Sequence, residues 1–198
     1  MSSKPVLIVD WHDTLTEYSQ PFLNWAEKHL GRSLKIEDIQ KDFTNHGFVK
    51  EDFQAFEISD DFSFFPIVDS QKSIAKLSEV FRIEVISSSG SLAWHVGRLH
   101  LLYPEIRGFR YTQDKGRMIS HLRDEQGLKI VGIVDDLEKN FKNLPPECKP
   151  ICFKQPWNTD FQGLRGSWAE ITGFLLESGE FSGTKDSLVR LRNNQPIS

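Results

Sequence analysis

Cysteine is nearly absent. The 198 residues contain two, Cys148 and Cys152, too few for a disulfide framework. Neither has a Cys or His partner at zinc-ligand spacing, so both are expected to be inert, buried thiols. Long apolar runs are missing too. Stretches as short as Val6-Leu7-Ile8-Val9 cannot span a bilayer. Met1-Ser2-Ser3-Lys4-Pro5 lacks the apolar region of a signal peptide. There is no basic excess. A net charge of −4 argues against broad electrostatic binding to a nucleic acid polymer. Internal repeats and low-complexity blocks are absent as well. These absences exclude a disulfide-stapled domain, a membrane span and a nucleic-acid-coating surface. What is present is 38% hydrophobic and 26% charged residues, the balance of a soluble globular chain. One core of this size buries about 70% of the surface the unfolded chain exposes. The expectation is a cytoplasmic α/β or α+β protein with a small-molecule partner. Its oligomeric state is not encoded in any pattern of the single chain.

Residues 6–9 form a continuous apolar, β-branched run, which predicts a buried strand. Ser19-Gln20-Pro21 opens a helix that carries Phe22, Leu23, Ala26 and Leu30 to Gly31. Weaker helical stretches cover residues 34–43 and 49–58. Asp69 is expected to cap a helix bearing Ile74, Leu77, Val80 and Phe81. A second strand covers residues 82–86, followed by a turn at Ser87-Ser88-Ser89-Gly90 and a helix over 92–102 capped by Ser91. A short strand at 109–111 precedes a helix capped by Asp114 and closed by Gly127. Strands at 129–134 and 149–153 follow. Ser167-Trp168-Ala169-Glu170 is a capping box for the last clear helix. This alternation predicts a Rossmann-like parallel sheet with helices on both faces. Residues 16–66 carry helical signals and no strand. They are expected to form a small helical cap inserted after the first strand. The core is then 1–15 with 67–178, and 179–198 is a polar tail. Phenylalanines crowd the cap, including Phe43, Phe48, Phe53, Phe56, Phe62, Phe64 and Phe65. They are expected to be its own core rather than a stacking platform for a base. Arg110 and Arg165 read as surface charges.

In open parallel sheets, ligands bind beyond the carboxyl ends of the strands. The first strand ends in Asp10-Trp11-His12-Asp13-Thr14-Leu15 and the second in Ser87. Lys115 follows the third, and Asp135-Asp136 ends the fourth. Carboxylates from two strand ends suit a hard cation such as Mg²⁺. A hydroxyl and a lysine beside them complete a phosphate site. An aspartate near both is equipped to be a nucleophile that passes through an aspartyl-phosphate. Singly, each residue has a plainer role. Asp135-Asp136 reads as a helix cap, Ser87 as a loop residue and Lys115 as solvated first-turn surface. In this order, each at a strand end, they point jointly to one site. Trp11 directly follows Asp10, which places its ring at the pocket mouth, against either the cap or the substrate.

These residues resemble the haloacid dehalogenase (HAD) superfamily of aspartate-nucleophile phosphatases. Its motifs are a strand ending in Asp-x-Asp-x-Thr, a strand ending in Ser or Thr, a Lys, and a strand ending in paired acids. They match here at Asp10…Thr14-Leu15, Ser87, Lys115 and Asp135-Asp136. Residues 29–39 and Phe153-Lys154-Gln155-Pro156-Trp157-Asn158, with Ser167-Trp168, are similar to the 5'(3')-deoxyribonucleotidase-like branch. The resemblance implies that Asp10 is nucleophile and Mg²⁺ ligand, the main-chain carbonyl of His12 a second ligand, and Asp135 or Asp136 a third. It implies that Ser87 and Lys115 hold the transferring phosphoryl group, with Lys115 orienting Asp10; Trp11 and Ser88, by their positions beside these residues, are the further candidates for substrate contact. The implied activity is Mg²⁺-dependent hydrolysis of a small phosphorylated metabolite, with nucleoside monophosphates the leading class.

Two of the motifs depart from that pattern. His12 stands where the family carries an Asp that protonates the leaving oxygen and later activates water, and Asp13 stands where a small residue is usual. Ser87-Ser88-Ser89 stands where the branch carries Thr-Ala-Arg. Proton transfer then falls to an imidazole, with Asp13, one residue out of register, ranked behind it. The alternative reading is a HAD-like protein that binds a phosphate ligand or a protein partner with little or no turnover.

Overall fold

The computed structural model describes residues 4–39, 43–88 and 92–177. Strand β1 (Val6–Val9) leads into a two-residue strand β2 (Thr16–Glu17), helix α1 (Ser19–Leu30), helix α2 (Lys50–Glu57) and a second two-residue strand β3 (Phe65–Pro66). Helices and strands then alternate: α3 (Ser70–Ser78), β4 (Arg82–Ser87), α4 (Leu92–Leu102), β5 (Gly108–Tyr111), α5 (Lys115–Gln126) and β6 (Ile130–Asp135). The described chain closes with β7 (Lys149–Phe153), β8 (Leu164–Gly166) and α6 (Trp168–Glu177). Six strands form one parallel sheet in the order β5-β4-β1-β6-β7-β8. Among the described residues, no helix is long and apolar enough to cross a membrane.

The unbroken apolar run of β1 follows from its central place, because both of its faces are covered. Leu7 and Val9 pack with Ile74 and Leu77 of α3, Leu99 of α4, and Ile171 and Leu175 of α6. Val6 and Ile8 face the other way, onto Ile119 and Leu122 of α5. The expected Rossmann-like α/β sheet, with helices on both faces, is therefore the observed one. On β6 the register slips by one residue, from Val6↔Ile130 to Leu7↔Gly132. This bulge sets Val134 beside Val9, so the next residues, Asp10 and Asp135, stand level.

Helix ends obey local chemistry. The Asp114 carboxylate accepts from the Arg117 amide at 3.0 Å, and Gly127 closes α5 with φ 63°. Ser167 and Glu170 form the reciprocal capping box. Asp69 differs from expectation. It adopts φ 64° and makes no side-chain cap bond. Strands β2, β3 and β8 were not read from the sequence, because two or three residues show no periodicity. Arg110 is not a free surface charge. With Arg82 it flanks Glu84, whose side chain is fully buried in β4, and a buried carboxylate needs such partners. The expected turn through Ser89-Gly90, the Ser91 cap and the polar tail lie outside the described residues.

β2 and β3 pair antiparallel, Thr16 with Pro66 and Glu17 with Phe65, so residues 18–64 leave and return through one narrow ribbon. They have their own core. Phe22 is its centre, with ring centroids of Phe53 at 4.6 Å, Phe48 at 5.0 Å, Phe43 at 5.1 Å and Phe56 at 5.6 Å. Phe62 joins this cluster, Phe64 packs on the main core instead, and Phe65 is exposed.

Candidate active site

β1 is flanked by β4 and β6, so the carboxyl ends of these three strands present Asp10, Ser87 and Asp135 side by side. Ligands of open parallel sheets bind at such a place. Lys115 arrives from a different direction, as the first residue of α5. Gly116 makes that approach possible, because a Cβ there would clash with the Lys142 carbonyl of the neighbouring turn.

The Lys115 Nζ lies 2.6 Å from Asp10 Oδ1 and 2.6 Å from Asp135 Oδ2, with its side chain fully buried. Asp135 also accepts from the Leu137 amide at 2.9 Å and from Asn140 Nδ2 at 2.9 and 3.0 Å. Asp136 accepts from Thr14 Oγ1 at 3.3 Å and from Trp157 Nε1 at 3.0 Å. Asn158 Nδ2 donates to the Asp136 carbonyl at 2.8 Å, and Arg165 Nε donates to Asn158 Oδ1 at 2.9 Å. Arg165 is thus a brace beneath the acidic pair, not a surface charge.

Asp10, Asp135 and Asp136 each offer an oxygen within 4.8 Å of the others, and all three are buried. Three carboxylates share one lysine. Burial pushes the Asp10 carboxyl up from its usual 3.8 to about 7, against the pull of Lys115. Burial, then Asp135 and Asp10, push Asp136 well above the carboxylate range. Burial alone would lower Lys115, but Asp10 and Asp135 more than offset it and hold the ammonium charged. Uncompensated negative charge in a buried, all-oxygen donor set is what a hard divalent cation relieves. The residues present therefore fit Mg²⁺.

The other candidates are placed as follows. Ser87 is buried at the end of β4, where its carbonyl accepts from the Thr112 amide at 3.0 Å. Ser88 lines a cleft of about 880 Å³ between the two parts of the molecule. The opposite wall is built from Tyr18 and α2, including Lys50, Gln54 and Glu57, and the near side from Tyr111 and Gln113. Trp11 is not at the pocket mouth. The two-residue period of β1 carries it onto the face of Leu7 and Val9, where it is fully buried, stacked on Phe64 and edge-on to Phe109. His12 is half-buried, and its ring stacks on Tyr18 at 4.1 Å between centroids. Asp13 is held away from acid–base work. Its carboxylate accepts from the Tyr18 and Ser19 amides at 2.9 Å each and from the Ser19 hydroxyl, capping α1. Cys148 and Cys152 are buried, which pushes both thiols up to about 12.

Thr14, Asn140, Trp157, Asn158 and Arg165 were not identified as supports of the acids. Thr14 was noted only as part of the first motif, Trp157 and Asn158 only as part of the Phe153–Asn158 stretch, and Asn140 had no sequence trace.

No protein-family model matches the chain, and no curated protein does. Solved structures do match. A haloacid dehalogenase-like family hydrolase from Streptococcus pneumoniae has a TM-score of 0.65 at 11% identity, covering 88% of this chain and 100% of that one. A HAD-superfamily hydrolase of subfamily IA from Geobacter sulfurreducens has a TM-score of 0.58 at 12% identity, covering 87% and 96%. A structure from Lactobacillus delbrueckii described as a candidate phosphoglycolate phosphatase has a TM-score of 0.57 at 14% identity, covering 87% and 98%. At these identities the likeness is one of fold. The chain has the α/β fold of HAD-superfamily hydrolases, and the likeness does not single out the nucleotidase-like branch.

Proposed function

We propose that the chain is a Mg²⁺-dependent phosphomonoester hydrolase that passes through an aspartyl-phosphate on Asp10. The observation that carries this reading is the buried group of Asp10, Asp135 and Asp136 around one charged lysine. Asp10, one or both of Asp135 and Asp136, and the main-chain carbonyl of His12 would hold the ion. When bound, it supplies positive charge to the transferring phosphoryl group. An Asp10 carboxylate oxygen attacks phosphorus. An O–P bond to Asp10 forms, the ester O–P bond breaks, and the leaving oxygen takes a proton. Lys115 keeps the Asp10 carboxylate oriented and pairs with the phosphoryl oxygens, and Ser87 donates a hydrogen bond to them. Water then attacks the same phosphorus, and inorganic phosphate leaves Asp10 free. His12 is the proton donor in the first step and the acceptor in the second, two roles that one imidazole can take in turn.

The substrate is a small phosphorylated metabolite whose leaving group occupies the cleft beside Ser88. A nucleoside monophosphate is the leading class, on the resemblance of residues 29–39 and 153–158. Hydrolysis of p-nitrophenyl phosphate with Mg²⁺, with EDTA and by Asp10→Asn tests the reaction. Activity that requires both the ion and Asp10 supports it.

A second reading, a phosphate-binding module with little turnover, is favoured by one observation: His12 at the position of the family's acid/base. The two are separated by His12→Asp on alkyl phosphates. A rise in turnover of roughly 10²-fold or more marks the native chain as a slow hydrolase. Stabilisation by ligand with no turnover in any variant makes it a binder.

A further inference from the structure

The turn after Asp10 is closed by its own backbone. The amides of Thr14, Leu15 and Thr16 all donate to the Trp11 carbonyl, at 3.3, 2.8 and 3.1 Å. The carbonyls of Asp13, Thr14 and Leu15 are engaged differently. Gln155 Nε2 donates to the Asp13 carbonyl at 2.6 Å, Trp168 Nε1 to Thr14 at 2.7 Å, and Tyr103 OH to Leu15 at 2.6 Å. These donors come from the turn after β7, the start of α6 and the residue after α4. Three distant elements thus hold three successive peptide groups. The same turn carries Asp10 at one end, the peptide of His12 inside it, and Thr14, whose hydroxyl reaches Asp136.

We propose that Tyr103, Trp168 and Gln155 are positioning residues: their three hydrogen bonds clamp the turn so that Asp10 and the His12 carbonyl face Asp135 and Asp136 in a geometry that one Mg²⁺ can bridge. The inference rests on the hydrolase reading for its effect on turnover, but not for its effect on ion affinity. The plainer explanation is that buried carbonyls simply need donors. Leu15 separates the two, because its carbonyl already accepts from the Ile67 amide at 2.9 Å. The Tyr103 hydroxyl adds a direction to a group that was already satisfied. A misplacement of the reacting groups by about 1 Å costs up to about 10²-fold in rate, and loss of an outer support typically weakens metal binding about 10-fold or more.

Tyr103→Phe removes one hydroxyl and leaves no orphan. Leu15 keeps the Ile67 amide, and the Ser70 hydroxyl keeps the Ile67 carbonyl at 2.6 Å. Gln155→Met is the second variant, at a part-buried site. For wild type and both variants, Mg²⁺ affinity is measured by calorimetry, the unfolding midpoint by heating, and kcat and KM on p-nitrophenyl phosphate. The expected result is a fall of about 10-fold in Mg²⁺ affinity and in kcat, with KM changed less than about twofold and the midpoint shifted by only a few degrees. Unchanged affinity and kcat in both variants would overturn the clamp, as would losses fully explained by partial unfolding. A wild type that binds Mg²⁺ without turnover overturns the hydrolase reading alone, and the affinities of the variants still decide the clamp. A wild type that binds no Mg²⁺ overturns both.

Discussion

Between Asp10 and Leu15 the chain is fixed by directional contacts of 2.6 to 3.3 Å, each from a named donor. Between Tyr18 and Phe62 it is fixed by aromatic rings whose centroids lie 4.6 to 6.4 Å apart. Hydrogen bonds depend steeply on distance and angle, whereas apolar burial is non-directional and tracks area. The turn is therefore expected to lose its chemistry abruptly on small changes, and the aromatic cluster to lose stability in proportion to the atoms removed. The two meet at Tyr18, whose amide is bound by Asp13, whose ring stacks on His12, and whose hydroxyl donates to Glu57 at 3.1 Å.

The strongest test of this contrast is to strike each region once. Lys115→Met leaves the buried Asp10 and Asp135 without the ammonium they share, beside a third buried carboxylate, Asp136. Breaking a buried pair typically costs about 3–5 kcal/mol. A large loss of stability is expected in EDTA, partly recovered by Mg²⁺, and thermal unfolding in both buffers measures it. Phe22→Ala empties the centre of the aromatic cluster, where removal of a buried phenylalanine costs about 3–5 kcal/mol. Amide exchange should quicken across residues 18–64 while the sheet and the Mg²⁺ affinity are unchanged. Loss of Mg²⁺ affinity in Phe22→Ala would show that the two regions are one cooperative unit.

A smaller effect concerns pH. Asp10 has a folded pKa of about 7 against its usual 3.8, and Asp136 is shifted in the same direction. Between those values the folded chain holds more protons than the unfolded one, so stability falls as pH rises. Lys115 is shifted upward from 10.5, so its contribution stays constant over this window. The midpoint of the metal-free protein should decline from about pH 5 to about pH 7.5, and less so in Asp10→Asn. A midpoint that rises across the window would contradict this charge balance among Asp10, Asp136 and Lys115.

Strand-end acids were legible because β1 and β6 are short apolar runs that stop at charged residues, and the sheet brings such ends together. Trp11 was misplaced although the signal was available, since counting by two from Leu7 and Val9 puts its ring in the helical layer. Asp13 was readable only as an acid near Asp10. Its cap bonds span five and six residues and require the left-handed φ of 55° that the turn imposes. The proposed clamp had no readable role in the sequence: Gln155 and Trp168 fell within the stretches noted for resemblance, and Tyr103 in none. Tyr103, Gln155 and Trp168 lie 88, 142 and 154 residues from the carbonyls they bind, so no spacing rule connects them. Arg110 and Arg165 were misread for the same reason, because their partners Glu84 and Asn158 are brought near only by strand pairing and a turn.

The central claim is that this site transfers a phosphoryl group to Asp10 with the help of Mg²⁺. Beryllium fluoride mimics that group on a carboxylate, and its binding is followed by fluorine NMR on wild type and Asp10→Asn, each with Mg²⁺ and with EDTA. A bound signal is expected in wild type with Mg²⁺ and none in the other three samples, because the ion offsets repulsion between the anionic group and the clustered acids. Equal binding in EDTA, or binding that survives Asp10→Asn, would contradict it.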